Sequence, residues 1–401
     1  MTERPSCVHI LGAASGRGTR ARFGALAVAL TLALGFTPAQ AQKFETRAEH
    51  AILIDYDTGT VLFQKDADTR VPPASMAKLM TAAVVFGAIE AGQLHLDDEF
   101  VVSETAWRQG GANSGGSTMF AKLGSSIRVE DLIRGMVIQS GNDACITIAE
   151  GMAGTEAAFV NVMNATARKI GLTNSHFMNA TGLPDPEQYM TSRDLATLAT
   201  YIITEFPEYY KIYGEKDFVW NKIRQRNRNP LLDMNIGADG MKTGFTDESG
   251  YGLVGSAVQQ GQRLIVVING TKSDKERGDE GRKLLEWGFR AFERVSLFGD
   301  GQVIAEAKVF GGTQRSVGLV AKGPFDLLLP IGSRDQIKAE VVYQGPVVAP
   351  VAEGQAVGQV KITTTDGITS QANLYASADI GVGTMRQRAF DGLEELLLGW
   401  W

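Results

Sequence analysis

Ser75 and Lys78 stand three residues apart in Val71-Pro72-Pro73-Ala74-Ser75-Met76-Ala77-Lys78-Leu79-Met80. A serine hydroxyl is a poor nucleophile until a base takes its proton, and a desolvated lysine loses its charge readily enough to be that base. The two prolines fix an extended approach and cannot continue a helix from upstream. The Ala-rich apolar run that follows predicts a buried helix to Glu90, stopped at Gly92. Ser75 then lies in its first turn, with Lys78 one turn on and on the same face. A lysine among Met76, Leu79, Met80, Ala83 and Val84 needs a reason, because burying an unpaired ammonium is expensive. The competing interpretation is an N-cap serine beside a lysine that snorkels to solvent.

Two further clusters carry compatible chemistry. Val129 to Gln139 has helical periodicity and ends on Ser140-Gly141-Asn142-Asp143-Ala144-Cys145, where Gly141 breaks it and a second apolar helix continues to Met152. Alone, this would be a capped turn between helices. Gly240-Met241-Lys242-Thr243-Gly244-Phe245-Thr246 precedes two predicted strands, Tyr251 to Ala257 and Arg263 to Asn269, joined by a Gln260-Gly261 turn. Upstream, Ala51 to Asp55 and Thr60 to Phe63 flank Asp57-Thr58-Gly59 as a β-hairpin. The polar, Gly-rich stretch from Gln109 to Ser117 is too irregular for a regular element and predicts a loop at the rim of a site.

The chain of 401 residues, 44% hydrophobic and 21% charged, is long enough for two or three domains. Residues 1–41 have the pattern of a secretory signal: Arg4, Arg17, Arg20 and Arg22, an apolar run from Phe23 to Phe36, and Ala39-Gln40-Ala41 as cleavage site. A retained membrane anchor is the alternative, although the apolar run is short for a bilayer. The full chain carries −6, and loss of this segment leaves it more acidic, which argues against a nucleic-acid partner. The exported part keeps Cys145 as its one cysteine, so no internal disulfide forms. His50, His95 and His176 are scattered and give no metal-ligand spacing, so neither a metal nor another cofactor is expected.

Ser-x-x-Lys opening a helix, Ser-x-Asn between helices and Lys-Thr-Gly on a strand occur here in that chain order, a combination associated with β-lactamases and penicillin-binding proteins. With Gly182-Leu183-Pro184-Asp185-Pro186 and Leu284-Leu285-Glu286-Trp287-Gly288-Phe289-Arg290, the chain resembles the low-molecular-mass penicillin-binding proteins that are serine-type D-alanyl-D-alanine carboxypeptidases. The likeness runs from about Lys43 to Phe292 and more loosely beyond. It implies an α+β protein, with an α/β/α catalytic domain over residues 42–293 and a small all-β domain over 294–384. The strand-like alternation near Ala307, Leu327, Ile337 to Val341, Val360 and Leu374 fits that second domain.

The resemblance also implies roles. Ser75 would attack the terminal D-Ala-D-Ala bond of a peptidoglycan pentapeptide, with Lys78 as base and Ser140 as proton relay. Asn142 would hold Lys78 and the substrate, and Lys242 would supply a fixed positive charge. The Lys242 to Thr246 strand, including Thr243 and Gly244, would pair with the extended peptide, and the backbone N–H groups of Ser75 and Phe245 would form an oxyanion hole. Thr243, Thr246 and Arg277 are the candidates for the terminal carboxylate, Arg277 alternatively being a surface partner of Glu280. β-Lactams would acylate Ser75 and inhibit. One departure is Phe245, where this group commonly has a polar residue; it puts the pH optimum and preferred substrate in question.

A class A β-lactamase would carry Glu-x-x-Leu-Asn between the second and third motifs, and none of Glu150, Glu156, Glu187, Glu205, Glu208 or Glu215 begins it. An endopeptidase acting on cross-links needs the same residues and stays open, as does a non-catalytic sensor of β-lactams or cell wall. Residues 385–401 form an amphipathic helix with Arg386, Ala389, Phe390, Leu393, Leu396, Leu397 and Trp400 on one face. It predicts attachment to the periplasmic face of the bacterial cytoplasmic membrane, the alternative being a helix packed on the β domain.

Overall fold

The structure is a computed structural model that describes residues 5–10, 44–331, 337–364 and 369–398. The rest of the predicted signal segment and the terminal Trp400 and Trp401 lie outside the described residues. Two compact units divide the chain: residues 44–290 form one, and residues 1–43 with 291–401 the other.

The first unit is built on a five-stranded antiparallel sheet. Its strands are β1 (His50–Asp55), β2 (Val61–Lys65), β3 (Ala238–Thr246), β4 (Gly250–Gln259) and β5 (Gln262–Thr271), in the order β2-β1-β5-β4-β3. The predicted hairpins are present, and Gln260 and Gly261 turn between β4 and β5 with φ of +51° and +83°, the left-handed pair that matches strand twist. Strand β5 is apolar without alternation from Leu264 to Ile268 because both sheet faces are covered. Ile265 and Val267 join the helical core on one face. On the other lies α6 (Asp274–Ala291), where a Cβ on Gly288 would stand 2.6 Å from Leu53 and 2.7 Å from Leu264.

The longer helices of the other layer are α1 (Lys78–Glu90), α2 (Val129–Val137), α3 (Asn142–Ala153), α4 (Glu156–Ile170) and α5 (Ser192–Glu205). Helix α1 is buried continuously from Lys78 to Phe86, which explains why its sequence lacks a polar stripe. A 3₁₀ turn over Ala74–Ala77 leads into it and carries Ser75. Thr155 and Thr191 cap α4 and α5 by accepting from backbone amides three residues on. The α/β/α layering expected from sequence is thus present, with the sheet between α6 and the helical layer.

In the second unit a seven-stranded sheet and a two-stranded pair, Phe292–Phe298 with Phe325–Pro330, contribute to one core that includes Ala307, Leu319, Leu327, Leu329, Val341, Val360, Ile362 and Leu374. The larger sheet's outer strand Pro5–Ile10 runs antiparallel to Ile337–Gln344, although the sequence predicts residues 5–10 to be part of the export signal. A helix over Met385–Leu398 closes the described chain. Thr384 and Gln387 bond reciprocally at its start, a capping box. Asp391 accepts from the Gly311 amide at 2.9 Å and Gln387 donates to the Thr313 carbonyl at 3.4 Å, so polar residues tie this helix to the β unit. Phe390 and Leu393 remain 66% and 56% exposed.

Candidate active site

Ser75, Ser140, Asn142, Thr243, Gly244, Phe245, Thr246 and Arg277 line one cavity of about 470 Å³, with Lys78 and Lys242 buried behind its wall. Every candidate residue named from sequence is therefore in or against this cavity. Three segments converge to make it: the 3₁₀ turn before α1, the turn before α3, and strand β3 at the sheet edge. Their backbones meet at glycines. A Cβ on Gly244 would fall 3.1 Å from the Pro73 carbonyl oxygen and 3.2 Å from the Met76 amide, so strand β3 can lie against the Ser75 turn. Gly182 has φ +81°, and a Cβ there would be 1.9 Å from the Ala74 carbonyl oxygen. Both its backbone angle and its surroundings demand glycine.

Lys78 is 1% exposed, and three groups surround its Nζ. The Ser75 hydroxyl is at 2.9 Å, Asn142 Oδ1 accepts at 2.8 Å, and the Thr181 carbonyl accepts closely on a third side. A neutral amine has two N–H donors and one lone pair. If the donors go to Asn142 and Thr181, which can only accept there, the lone pair is left for the Ser75 hydroxyl proton. Burial lowers the Lys78 pKa to about 8, helped by repulsion from Arg228 and opposed by Cys145 and Asp143. Lys242, 2% exposed, donates to Ser140 Oγ at 2.9 Å and to the Thr243 carbonyl at 3.1 Å. Burial pushes its pKa well below the usual lysine range, with repulsion from Lys78 and Arg228 adding to the effect. Desolvation therefore governs both amines, and it opposes the fixed charge expected at Lys242.

Sequence reasoning did not reach the supports of this arrangement. The Thr181 carbonyl sits in a loop whose turn is held by Asn179: its Oδ1 accepts from the amides of Thr181, Gly182 and Leu183 at 3.2, 2.8 and 3.1 Å. Glu156 accepts from the Ala180 amide, and Thr81 on α1 donates to the Ala180 carbonyl at 2.7 Å, fastening the loop to both helices. Asp143 is fully buried and accepts from Thr118 Oγ1 and the amides of Met119 and Ala121 at 2.6 to 2.9 Å. It thus clamps the segment after the predicted rim loop onto the turn bearing Ser140 and Asn142. Gly115, Gly116 and Ser117 of that loop do line the cavity.

Arg277 is buried; it donates to the Gly244 carbonyl at 3.1 Å and pairs with Asp274. Glu280 bonds instead to Thr46, the Arg47 amide and Lys283, so it is not the ion-pair partner of Arg277. Arg228, a second guanidinium on the cavity wall, lies in a Gln-Arg-Asn-Arg-Asn run that had no recognisable spacing. Cys145 is buried, its thiol pushed up to about 12 by desolvation, and so inert. Among the described residues there is no group of three or more potential ligands that could hold a metal ion.

Residues 36–273 match the D-alanyl-D-alanine carboxypeptidase family, and residues 292–381 match the C-terminal domain of penicillin-binding protein 5. The chain belongs to the D-alanyl-D-alanine carboxypeptidase family. It is 41% identical to D-alanyl-D-alanine carboxypeptidase DacC of Escherichia coli K12 over 85% of this chain and 86% of that protein. The fold is similar to penicillin-binding protein 5 from Haemophilus influenzae, with a TM-score of 0.74 and 40% identity over 84% of this chain and 98% of that one. It is also similar to Listeria monocytogenes penicillin-binding protein D2 in a cefotaxime-bound form: TM-score 0.56, 30% identity, covering 62% of this chain and 99% of that chain.

Asp143 gives this site a measurable dependence. Replacing it with Ala leaves the Met119 and Ala121 amides without their buried acceptor, a loss of about 3 kcal/mol or more. Thermal unfolding of Asp143→Ala should show a Tm lower by roughly 6–12 °C. A change below about 2 °C would mean that other groups or water take over the clamp.

Proposed function

We propose that this chain is a D-alanyl-D-alanine carboxypeptidase that works through an acyl-Ser75 intermediate. The observation that carries the mechanism is the surroundings of Lys78: Asn142 Oδ1 and the Thr181 carbonyl accept from its Nζ while Ser75 Oγ lies 2.9 Å away on the third side, so loss of one proton leaves a lone pair facing the hydroxyl. Ser75 Oγ attacks the carbonyl carbon of the penultimate D-alanine of a peptidoglycan pentapeptide while its proton passes to Lys78 Nζ. The proton reaches the leaving nitrogen through Ser140, which is bonded to Lys242, and the C–N bond breaks to free D-alanine. Water then attacks the acyl carbon, giving up its proton to Lys78, and the Ser75 ester is cleaved. In a β-lactam the departing nitrogen stays tethered to the acyl group, so the enzyme stalls after the first half.

Strand β3 is the outer strand of its sheet and offers main-chain groups to an extended peptide. The amides of Ser75 and Phe245 are the oxyanion donors, each worth about 3–4 kcal/mol in comparable sites. Two guanidinium groups, Arg277 and Arg228, stand at the cavity wall. That favours a substrate with a free terminal carboxylate over a cross-link, hence a carboxypeptidase over an endopeptidase.

The segment over residues 1–41 directs export, and the C-terminal helix then holds the enzyme to the periplasmic face of the cytoplasmic membrane. The exposed Phe390 and Leu393 support this, because the contacts to the β unit use the polar Asp391 and Gln387 instead. Each apolar side chain contributes roughly 1.5–3 kcal/mol when fully buried, and interfacial burial realises part of it. Among the described residues no helix is long and apolar enough to cross a membrane.

Three measurements test this account. Benzylpenicillin should add one acyl group to the mature protein, seen by intact mass, and none to Ser75→Ala, which should also release no D-alanine from a pentapeptide; an adduct on the variant would refute the assignment. The acylation rate should rise with pH and level off above about 8, because only neutral Lys78 accepts the proton and its pKa is lowered to about 8. A rate independent of pH between about 6 and 9 would remove Lys78 as the base. Lastly, the mature protein should sediment with liposomes at high salt, and Phe390→Ser combined with Leu393→Ser should release it with catalysis intact. Unchanged sedimentation would make the helix a purely structural part of the β unit.

A further inference from the structure

Phe245 ends β3 opposite Tyr251 at the start of β4, and their ring centroids are 4.2 Å apart with planes inclined by 32°. Both line the cavity, and Phe245 is 47% exposed. Arg277 is attached to the same unit twice, through the Gly244 carbonyl at 3.1 Å and with its guanidinium carbon 5.5 Å over the Tyr251 ring. An aromatic wall therefore stands beside Arg277, one of the two cations that favour a terminal carboxylate.

In a terminal amino acid, the carboxylate and the side chain are bonded to the same carbon. A residue anchored by its carboxylate on Arg277 must place its side chain within a few bond lengths of that anchor. The neighbouring surface is apolar and partly open, in a wall otherwise made largely of Ser, Thr, Asn, Gly and Arg. A methyl group would cover little of it, and a larger apolar group would remove more of it from water.

We propose that Phe245 and Tyr251 form an apolar subsite for the side chain of the leaving residue, so that the enzyme releases terminal D-amino acids with apolar side chains larger than methyl as well as D-alanine. The reaction is the same hydrolysis, in which water supplies a hydroxyl to the acyl carbon and a proton to the departing amine. The inference rests on the carboxypeptidase assignment and on Arg277 as carboxylate anchor. It makes Phe245 a residue that sets specificity through its side chain, in addition to its backbone amide.

The test compares kcat/KM for otherwise identical peptides ending in D-Ala-Gly, D-Ala-D-Ala, D-Ala-D-Leu and D-Ala-D-Phe, with the released amino acid identified by mass spectrometry. The mature wild-type protein should process the D-Leu and D-Phe peptides at least as well as the D-Ala peptide, and all three better than the glycine peptide. In Phe245→Thr the ratio of D-Leu to D-Ala release should fall about tenfold, on the order of one lost methylene contact in an apolar pocket. The ratio within each protein is the readout, so a general change in activity does not affect it. A wild-type rate that falls about a hundredfold from methyl to isobutyl would overturn the subsite, as would equal ratios in the two proteins. If Phe245→Thr fails to fold, the wild-type series alone decides. No release from any peptide, D-Ala included, would instead overturn the carboxypeptidase assignment beneath it.

Discussion

A lysine taken out of water beside a serine is the constraint on which the rest of this structure depends. Lys78 has a pKa of about 8 in the fold against 10.5 ordinarily, with burial as the first cause. Below pH 8 the folded protein carries a buried ammonium at a cost of roughly 3 kcal/mol. The cost fades as the pH rises toward 10.5, because the unfolded chain then binds the proton that the folded one has released. Stability in the working range is thus given up to keep a base available. The wholly buried α1 and the two-sided burial of the sheet provide the core that tolerates it.

Hydrogen bonding then determines what the desolvated lysine can do. A buried amine without acceptors would merely be neutral. Asn142 and Thr181 instead orient it; Asn179 Oδ1 accepts from the Thr181 amide, the Asn142 amide donates to the Ser117 carbonyl, and Asp143 beside it accepts from the Met119 and Ala121 amides. At Lys78 the polar groups are satisfied by protein rather than by water.

The chemistry was legible in the sequence wherever it resides in a side chain at short spacing. Ser75 and Lys78 share a turn, so three residues of separation were enough to pair them. The fold class came with the family resemblance that the three motifs carry, and strand alternation added the β-rich second unit. The Thr181 carbonyl was invisible because a backbone oxygen has no identity in a sequence, and the loop that aims it lies 103 residues from Lys78. Asp143 was in plain view within the second motif, yet its partners Thr118 to Ala121 come from a stretch without periodicity. Arg277 lines the cavity, and the alternative of a surface pair with Glu280 gives way to a pair with Asp274. Asp274 and Glu280 stand three residues to either side of Arg277 on α6, and only packing decides that Glu280 turns to Thr46 and Lys283.

The charges at the cavity also couple binding to basicity. Arg228 lowers the pKa of Lys78 and of Lys242, and Arg277 lowers that of Lys242. Desolvation remains the larger cause at both amines, so an anion at these guanidinium groups would offset only the repulsive part of the shift. To that extent the neutral fraction of Lys78 at a given pH falls, while each neutral amine takes a proton more readily. These changes oppose each other in the rate, which flattens its dependence on the exact pKa near neutrality. Burial thus sets the basicity of both lysines, and the neighbouring guanidinium groups adjust it.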